Sequence, residues 1–236
     1  MTSDEPRLIG LIGGISAEST AYYYQTLNRL VRERLGGLHS ARVLVWSVDF
    51  APVAELQAKG DWETAGAQFA EIARRLEAAG AEAILIGANT MHLVAETVQA
   101  AIGVPLIHIG EVTALALRGL GARRALLLGT RYTMEMGFYR DRLAAHGVEA
   151  VIPGEADRVR LHAIIYDELC QGVVSEASKA EVLAMIDRAG SVDAVVFACT
   201  EIGLLLSPED LAAPVVDTAI VHAEAAVGFA LEADGV

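Results

Sequence analysis

The sequence predicts an α/β protein built from two pseudosymmetric domains, each a doubly wound parallel sheet, with the active site in the cleft between them. Three observations carry that prediction. Short apolar runs alternate with helical patterns along the whole 236-residue chain, the order of a parallel sheet with crossover helices. The order repeats: 111 residues separate Ala88 from Cys199, and 117 separate Ile9 from Leu126. The strongest runs end in small polar residues, and ligands of such sheets sit beyond the carboxyl ends of the strands.

In order, Leu8–Ile12 reads as a strand, followed by Gly13-Gly14-Ile15-Ser16 and a helical pattern through Arg34. Ala41–Val48 reads as the second strand and Trp62–Ala79 as an amphipathic helix. Ile84–Gly87 is the third strand, with a helix to about Ala101, and Val104–Ile109 the fourth. In the second half Ala125–Leu128 ends in Gly129-Thr130, and a helix runs from Thr133 to about Ala145. Val148–Ile152 follows, then helices across Arg158–Gln171 and Ser175–Ala189. Ala194–Phe197 leads into Cys199, and Pro214–Val216 precedes a C-terminal helix. The expected domains are residues 1–110 with 219–236, and residues 111–218. No linker rich in Pro, Gly or Ser separates them.

Composition narrows the function. A 53% apolar content and mean hydropathy of +0.40 suit an Ala/Leu/Val-rich α/β core. No apolar run approaches the ~18 residues of a membrane span. The start, Met-Thr-Ser-Asp-Glu-Pro, lacks the features of a signal peptide. Two cysteines then point to reduced thiols and a cytoplasmic setting. A net charge of −13 and a pI near 4.8 argue against nucleic acid or membrane as partner.

Cys199 is the first chemical candidate. A cysteine at a strand end is often plain core, but Thr200 and Glu201 beside it open onto a cleft. A helix amino end there would lower the thiol pKa and supply a thiolate for proton transfer at carbon or nucleophilic attack. Asn89 and Thr90 offer donors at the matching turn, either as N-caps or as a carboxylate cradle. Ser16 and Thr130 stand after the first strand of each half, where the same argument is weaker. Cys170, inside a helical run, reads as structural. The six histidines form no metal pattern, and no nucleotide-binding glycine motif is present.

Four segments together resemble the aspartate/glutamate racemase family: Leu11-Ile12-Gly13-Gly14-Ile15-Ser16-Ala17-Glu18-Ser19-Thr20, Ala88-Asn89-Thr90-Met91-His92, Leu128-Gly129-Thr130-Arg131-Tyr132-Thr133-Met134 and Ala198-Cys199-Thr200-Glu201-Ile202. They occur in the family's order across nearly the whole chain. The resemblance implies a cofactor-independent isomerase without pyridoxal phosphate, acting on a small amino acid or dicarboxylate, and a homodimer; the histidine spacing argues against a metal. The resemblance also implies two cysteines flanking Cα, one removing the proton and the other returning it. Cys199 matches the second; Asn89, Thr90 and Thr200 match positions that hold the α-carboxylate, and Arg160 matches a basic position for the side-chain carboxylate.

The chain departs from the family pattern twice. Ala88 stands where the first cysteine, or in some members a threonine, is usual, and a methyl group carries no proton. Either water or a neighbouring side chain serves that face, or racemisation is lost, or the residue was altered to trap a ligand. Ser47-Val48-Asp49-Phe50-Ala51-Pro52 lacks an arginine often present there, which makes a broader amino-acid range plausible. Two other readings are a single-cysteine decarboxylase of the same superfamily and a non-catalytic amino-acid-binding protein.

Overall fold

The computed structural model describes residues 5–232. They divide into two compact units, one formed by the chain up to His108 together with the chain from His222 onward, the other by Ile109–Val221.

In the first unit the elements are β1 (Ile9–Gly13), α1 (Ala17–Leu35), β2 (Val43–Ser47), α2 (Phe50–Lys59), α3 (Trp62–Ala78) and β3 (Ala83–Ile86), then a 3-10 turn over Thr90–Val94 and α4 (Ala95–Gln99). The three strands are parallel in the order β2-β1-β3. Ala65, Phe69, Ala73 and Leu76 recur at helical spacing on α3 and pack with Ile12, Ile84 and Ile86. Helix α2 adds to the sequence reading, which placed no element between the second strand and the helix from Trp62. Asp49 caps it by accepting from the Ala51 N–H, and Pro52 falls in the first turn, where a missing N–H costs nothing.

The expected fourth strand at Val104–Ile109 needs correction. Only Leu106 bridges to Ile84, through Ile84 N to Pro105 O and Ile107 N to Ile84 O, both 2.9 Å. Pro105 has no N–H to extend the ladder, and Ile109 already begins a helix.

The second unit comprises α5 (Ile109–Gly119), β4 (Arg124–Gly129), α6 (Arg131–Glu135), α7 (Gly137–Ala145), β5 (Glu149–Val151) and α8 (Glu155–Ala163). There follow a π-helical turn at Ile164–Glu168, a 3-10 turn at Leu169–Gln171, α9 (Glu176–Arg188), β6 (Ala194–Ala198), α10 (Ile202–Leu205), a 3-10 turn at Pro208–Asp210 and β7 (Val215–Asp217); α11 (Thr218–Leu231) begins in this unit and from His222 onward belongs to the first. Its parallel sheet runs β5-β4-β6-β7. Successive strand residues face opposite ways: Leu126, Leu128, Val195 and Phe197 join one apolar cluster, and Ala125, Leu127, Ala194 and Val196 another. Both faces of this sheet are covered, which is the doubly wound arrangement. The helix expected over Thr133–Ala145 is broken at Met136, whose backbone is extended.

Candidate active site

Two matching strand-end turns hold the sequence-predicted residues, one in each unit. In the second unit β6 delivers Cys199, Thr200 and Glu201 directly beyond its last residue. Cys199 is 7% exposed and Glu201 3%. The thiol donates to Glu201 Oε2 at 2.9 Å, and the Thr200 hydroxyl donates to the same oxygen at 2.7 Å. Glu201 Oε1 accepts from the thiol of Cys170, 3.6 Å away, within reach for the larger sulfur atom. One buried carboxylate therefore gathers two thiols and a hydroxyl.

The electrostatics reverse the expectation of a lowered thiol pKa. The helix after the turn, α10, has four residues, too short for a sizeable dipole. Burial pushes the Cys199 thiol well above the usual range, and the negative field of Glu201 pushes the same way. The resting group is thus a thiol hydrogen-bonded to a carboxylate rather than a free thiolate. Tyr166, partly buried and in the field of Tyr132, Cys170, Cys199 and Glu201, is held protonated, desolvation being the main cause. His162 packs 4.5 Å from Tyr166, centroid to centroid, and burial with the nearby Arg131 charge lowers its pKa.

The first unit's turn is built differently. Ala88 is 6% exposed and packs in the core with Ile12, Ile15 and Met91. His92 Nδ1 lies 2.9 Å from the Ala88 carbonyl, which can only accept, so Nδ1 carries the proton. By the same logic His222 Nε2 donates to Ile107 O at 2.7 Å, leaving Nδ1 to accept from the Tyr23 hydroxyl at 2.8 Å. His108 stacks edge-on against His92 at 4.7 Å. Burial, then the other imidazoles, lowers His92 well below the usual range; burial lowers His222 to about 4. These imidazoles, His92 and His222 buried and His108 partly so, brace the turn that carries Asn89 and Thr90, both buried.

The remaining candidates divide. Ser16 and Thr130 are N-caps of α1 and α6, their oxygens accepting from the N–H of Ser19 and Thr133, each at 3.3 Å. Asn89 and Thr90 open the 3-10 turn without a side-chain cap bond. Arg160 stands apart in its bonding. Its guanidinium meets Glu181 through Nε at 2.6 Å and Nη2 at 3.1 Å, and Glu168 at 3.4 Å. It is 41% exposed, and both its carboxylate partners are protein side chains.

Sequence reasoning singled out Cys199 but gave Glu201 no role, although Glu201 lies two residues away in the same motif. It read Cys170 as structural, and it left the Tyr23–His222–His92–His108 cluster unassembled because its members lie up to 199 residues apart.

The pattern of the Asp/Glu/hydantoin racemase family matches residues 12–226. The chain belongs to that family. Its members are isomerases. A candidate Asp/Glu racemase from Yersinia pestis, known from a crystal structure, is 47% identical over 96% of this chain and 100% of its own, with a TM-score of 0.88. An aspartate racemase homologue from Pyrococcus horikoshii OT3 is 32% identical over 96% and 100%, with a TM-score of 0.83. The broad specificity amino-acid racemase RacX of Bacillus subtilis (strain 168) is 34% identical over 77 residues, a match spanning 33% of this chain and 34% of that protein. Among the described residues no helix of this racemase-family chain is long and apolar enough to cross a membrane, and no group of three or more His, Cys, Asp or Glu could hold a metal ion.

Proposed function

We propose that this protein moves a proton at Cα of an amino acid, without pyridoxal phosphate, using the Cys199 thiol as acid and base and the Glu201 carboxylate as its partner. The substrates are aspartate, glutamate or a broader amino-acid set. The observation that carries this reading is the buried Cys199–Glu201 hydrogen bond of 2.9 Å.

Creating an isolated thiolate in a buried site is costly. Moving the thiol proton onto Glu201 creates no new charge; it shifts the existing negative charge from carboxylate to sulfur. The thiolate then takes the Cα proton and becomes a thiol again, leaving a dianionic, enediolate-like substrate. Such a state needs hydrogen-bond donors aimed at its carboxylate. Asn89, Thr90, Ser16 and Thr130 are the proposed donors. Thr200, whose hydroxyl proton goes to Glu201, supports the thiol's partner. Arg160 is proposed as a brace for α8 and α9 rather than as the anchor of a substrate side chain, because Glu181 and Glu168 already take its donors.

Ala88 favours a second reading, in which proton exchange is one-sided. The chain would then exchange the α-proton of one enantiomer with little inversion, or protonate an enediolate after loss of carbon dioxide. A homodimer acting in the cytoplasm belongs to the first reading, and sedimentation at working concentration tests the assembly.

Proton NMR in heavy water, following the α-proton and enantiomeric ratio of L- and D-aspartate and glutamate, tests the proposal. Loss of the α-proton signal at a rate proportional to enzyme supports it, and inversion separates racemase from one-sided exchange. Binding of these amino acids with no exchange would overturn it and leave an amino-acid-binding protein.

A further inference from the structure

A thiol buried as deeply as Cys199 has little direct access to water, yet exchange with solvent requires its proton to be replaced each cycle. The surroundings of Glu201 offer a route. Its two oxygens are engaged by different thiols: Oε2 by Cys199 at 2.9 Å and Oε1 by Cys170 at 3.6 Å. Cys170 is only partly buried, and Gln171 and Gly172 beyond it are exposed. The backbone places it there by an irregularity. The helical run from Glu155 passes through the π turn Ile164–Glu168 and a 3-10 turn before Gly172 ends it with φ 73°. A π turn inserts one residue into the helical repeat and re-aims the side chains beyond it. At the end of that turn Glu168 faces Ser178 and Arg160, and past it Cys170 faces Glu201.

We propose that Cys199, Glu201 and Cys170 form a proton relay in which Cys170 is the outlet to water and a positioning residue for the reaction at Cys199. The inference rests on the function proposed above. The carboxyl group takes the Cys199 proton on Oε2 and turns about its Cγ–Cδ bond. It then passes that proton to the Cys170 sulfur as the Cys170 S–H proton leaves to water. Reloading runs the same steps backwards: water protonates the Cys170 sulfur, the Cys170 S–H proton moves to Glu201, and Glu201 returns one to the Cys199 thiolate. One proton enters, one is delivered, and each group regains its starting state.

The test that needs no substrate follows the infrared S–H stretch of Cys199 after transfer into heavy water, comparing wild type, Cys170→Val and Cys170→Ser. Deuteration should slow at least roughly tenfold in Cys170→Val, where exchange must await local opening, and Cys170→Ser should restore it. Equal deuteration in Cys170→Val and wild type overturns the relay. Recovery in Tyr166→Phe at the wild-type rate keeps the outlet at Cys170, whereas slowing there and not in Cys170→Val moves it to the phenol and overturns the assignment. With aspartate as substrate, Cys170→Val should also lose the isotope effect of Cα deuteration, because reloading rather than proton abstraction becomes slow. A merely structural defect would keep or enlarge that effect. Absence of α-proton exchange in wild type, with the S–H result as expected, would count against the proposed activity and leave the relay standing.

Discussion

The two strand-end turns share a backbone plan and a place in the repeated sequence, yet different chemistry lies behind each. Behind Ala88 the residue four positions on is His92, whose imidazole reaches back to the Ala88 carbonyl and packs on His108. Behind Cys199 the corresponding residue is Gly203, where a Cβ would sit 2.7 Å from Asp217 Oδ2. The first turn is braced by imidazole rings; the second leaves room for carboxylates, one of which holds the thiol. On the proposed function, this duplicated scaffold carries proton chemistry at one turn and rigidity at the other. The difference resides in the residues one and two turns behind the strand end.

The largest expected effect lies at the second turn. Cys199→Ser should lower α-proton exchange on the order of 1000-fold, with an unchanged far-ultraviolet circular dichroism spectrum. Next comes Glu201→Gln, which should slow exchange about 100-fold at neutral pH. The same change removes the negative field and hydrogen bond that raise the Cys199 pKa, so alkylation of Cys199 by iodoacetamide should become faster. Opposite movements of the two rates are the signature of a proton acceptor; parallel slowing would reduce Glu201 to a structural group.

At the first turn, Ala88→Cys adds a thiol at the position where the family resemblance implies one. Inversion should rise roughly tenfold or more, at an overpacking cost of about 1–3 kcal/mol because Ala88 sits in a filled core. The imidazole brace has its own pH signature. His222 is neutral in the fold, its pKa lowered from 6.5 to about 4, so the unfolded chain protonates first as pH falls. Its contribution is intact above about 6.5 and is lost progressively down to about 4, amounting to about 3 kcal/mol. Urea unfolding at pH 7.5 and 4.5 should show this loss in wild type and a reduced one in His222→Gln. The smallest effect is expected from Arg160→Ala. As a half-exposed, ion-paired side chain it should cost less than about 1 kcal/mol of stability and leave the ratio of kcat/KM for aspartate and alanine unchanged.

The parallel α/β plan was legible because buried strands are continuous apolar runs, and Ile84–Ile86, Leu126–Leu128 and Val195–Phe197 are such runs. The N-caps Ser16 and Thr130 were legible because their partners lie three residues on. The features that escaped were set by tertiary geometry. The π turn that brings Cys170 to Glu201 leaves no mark in the apolar periodicity. The pairing of Arg160 with Glu181 joins residues 21 apart on separate helices. The thiol pKa depends on burial and on a carboxylate rotamer, so the short helix after Cys199 could not supply the thiolate that the sequence pattern led one to expect.

The most direct test of the comparison is α-proton exchange of L- and D-aspartate in heavy water, measured side by side for wild type, Cys199→Ser and Ala88→Cys. The account predicts exchange in wild type, none in Cys199→Ser and added inversion in Ala88→Cys. Exchange that survives in Cys199→Ser at the wild-type rate would contradict it, because the proton would then be moved by a group outside the Cys199–Glu201 pair.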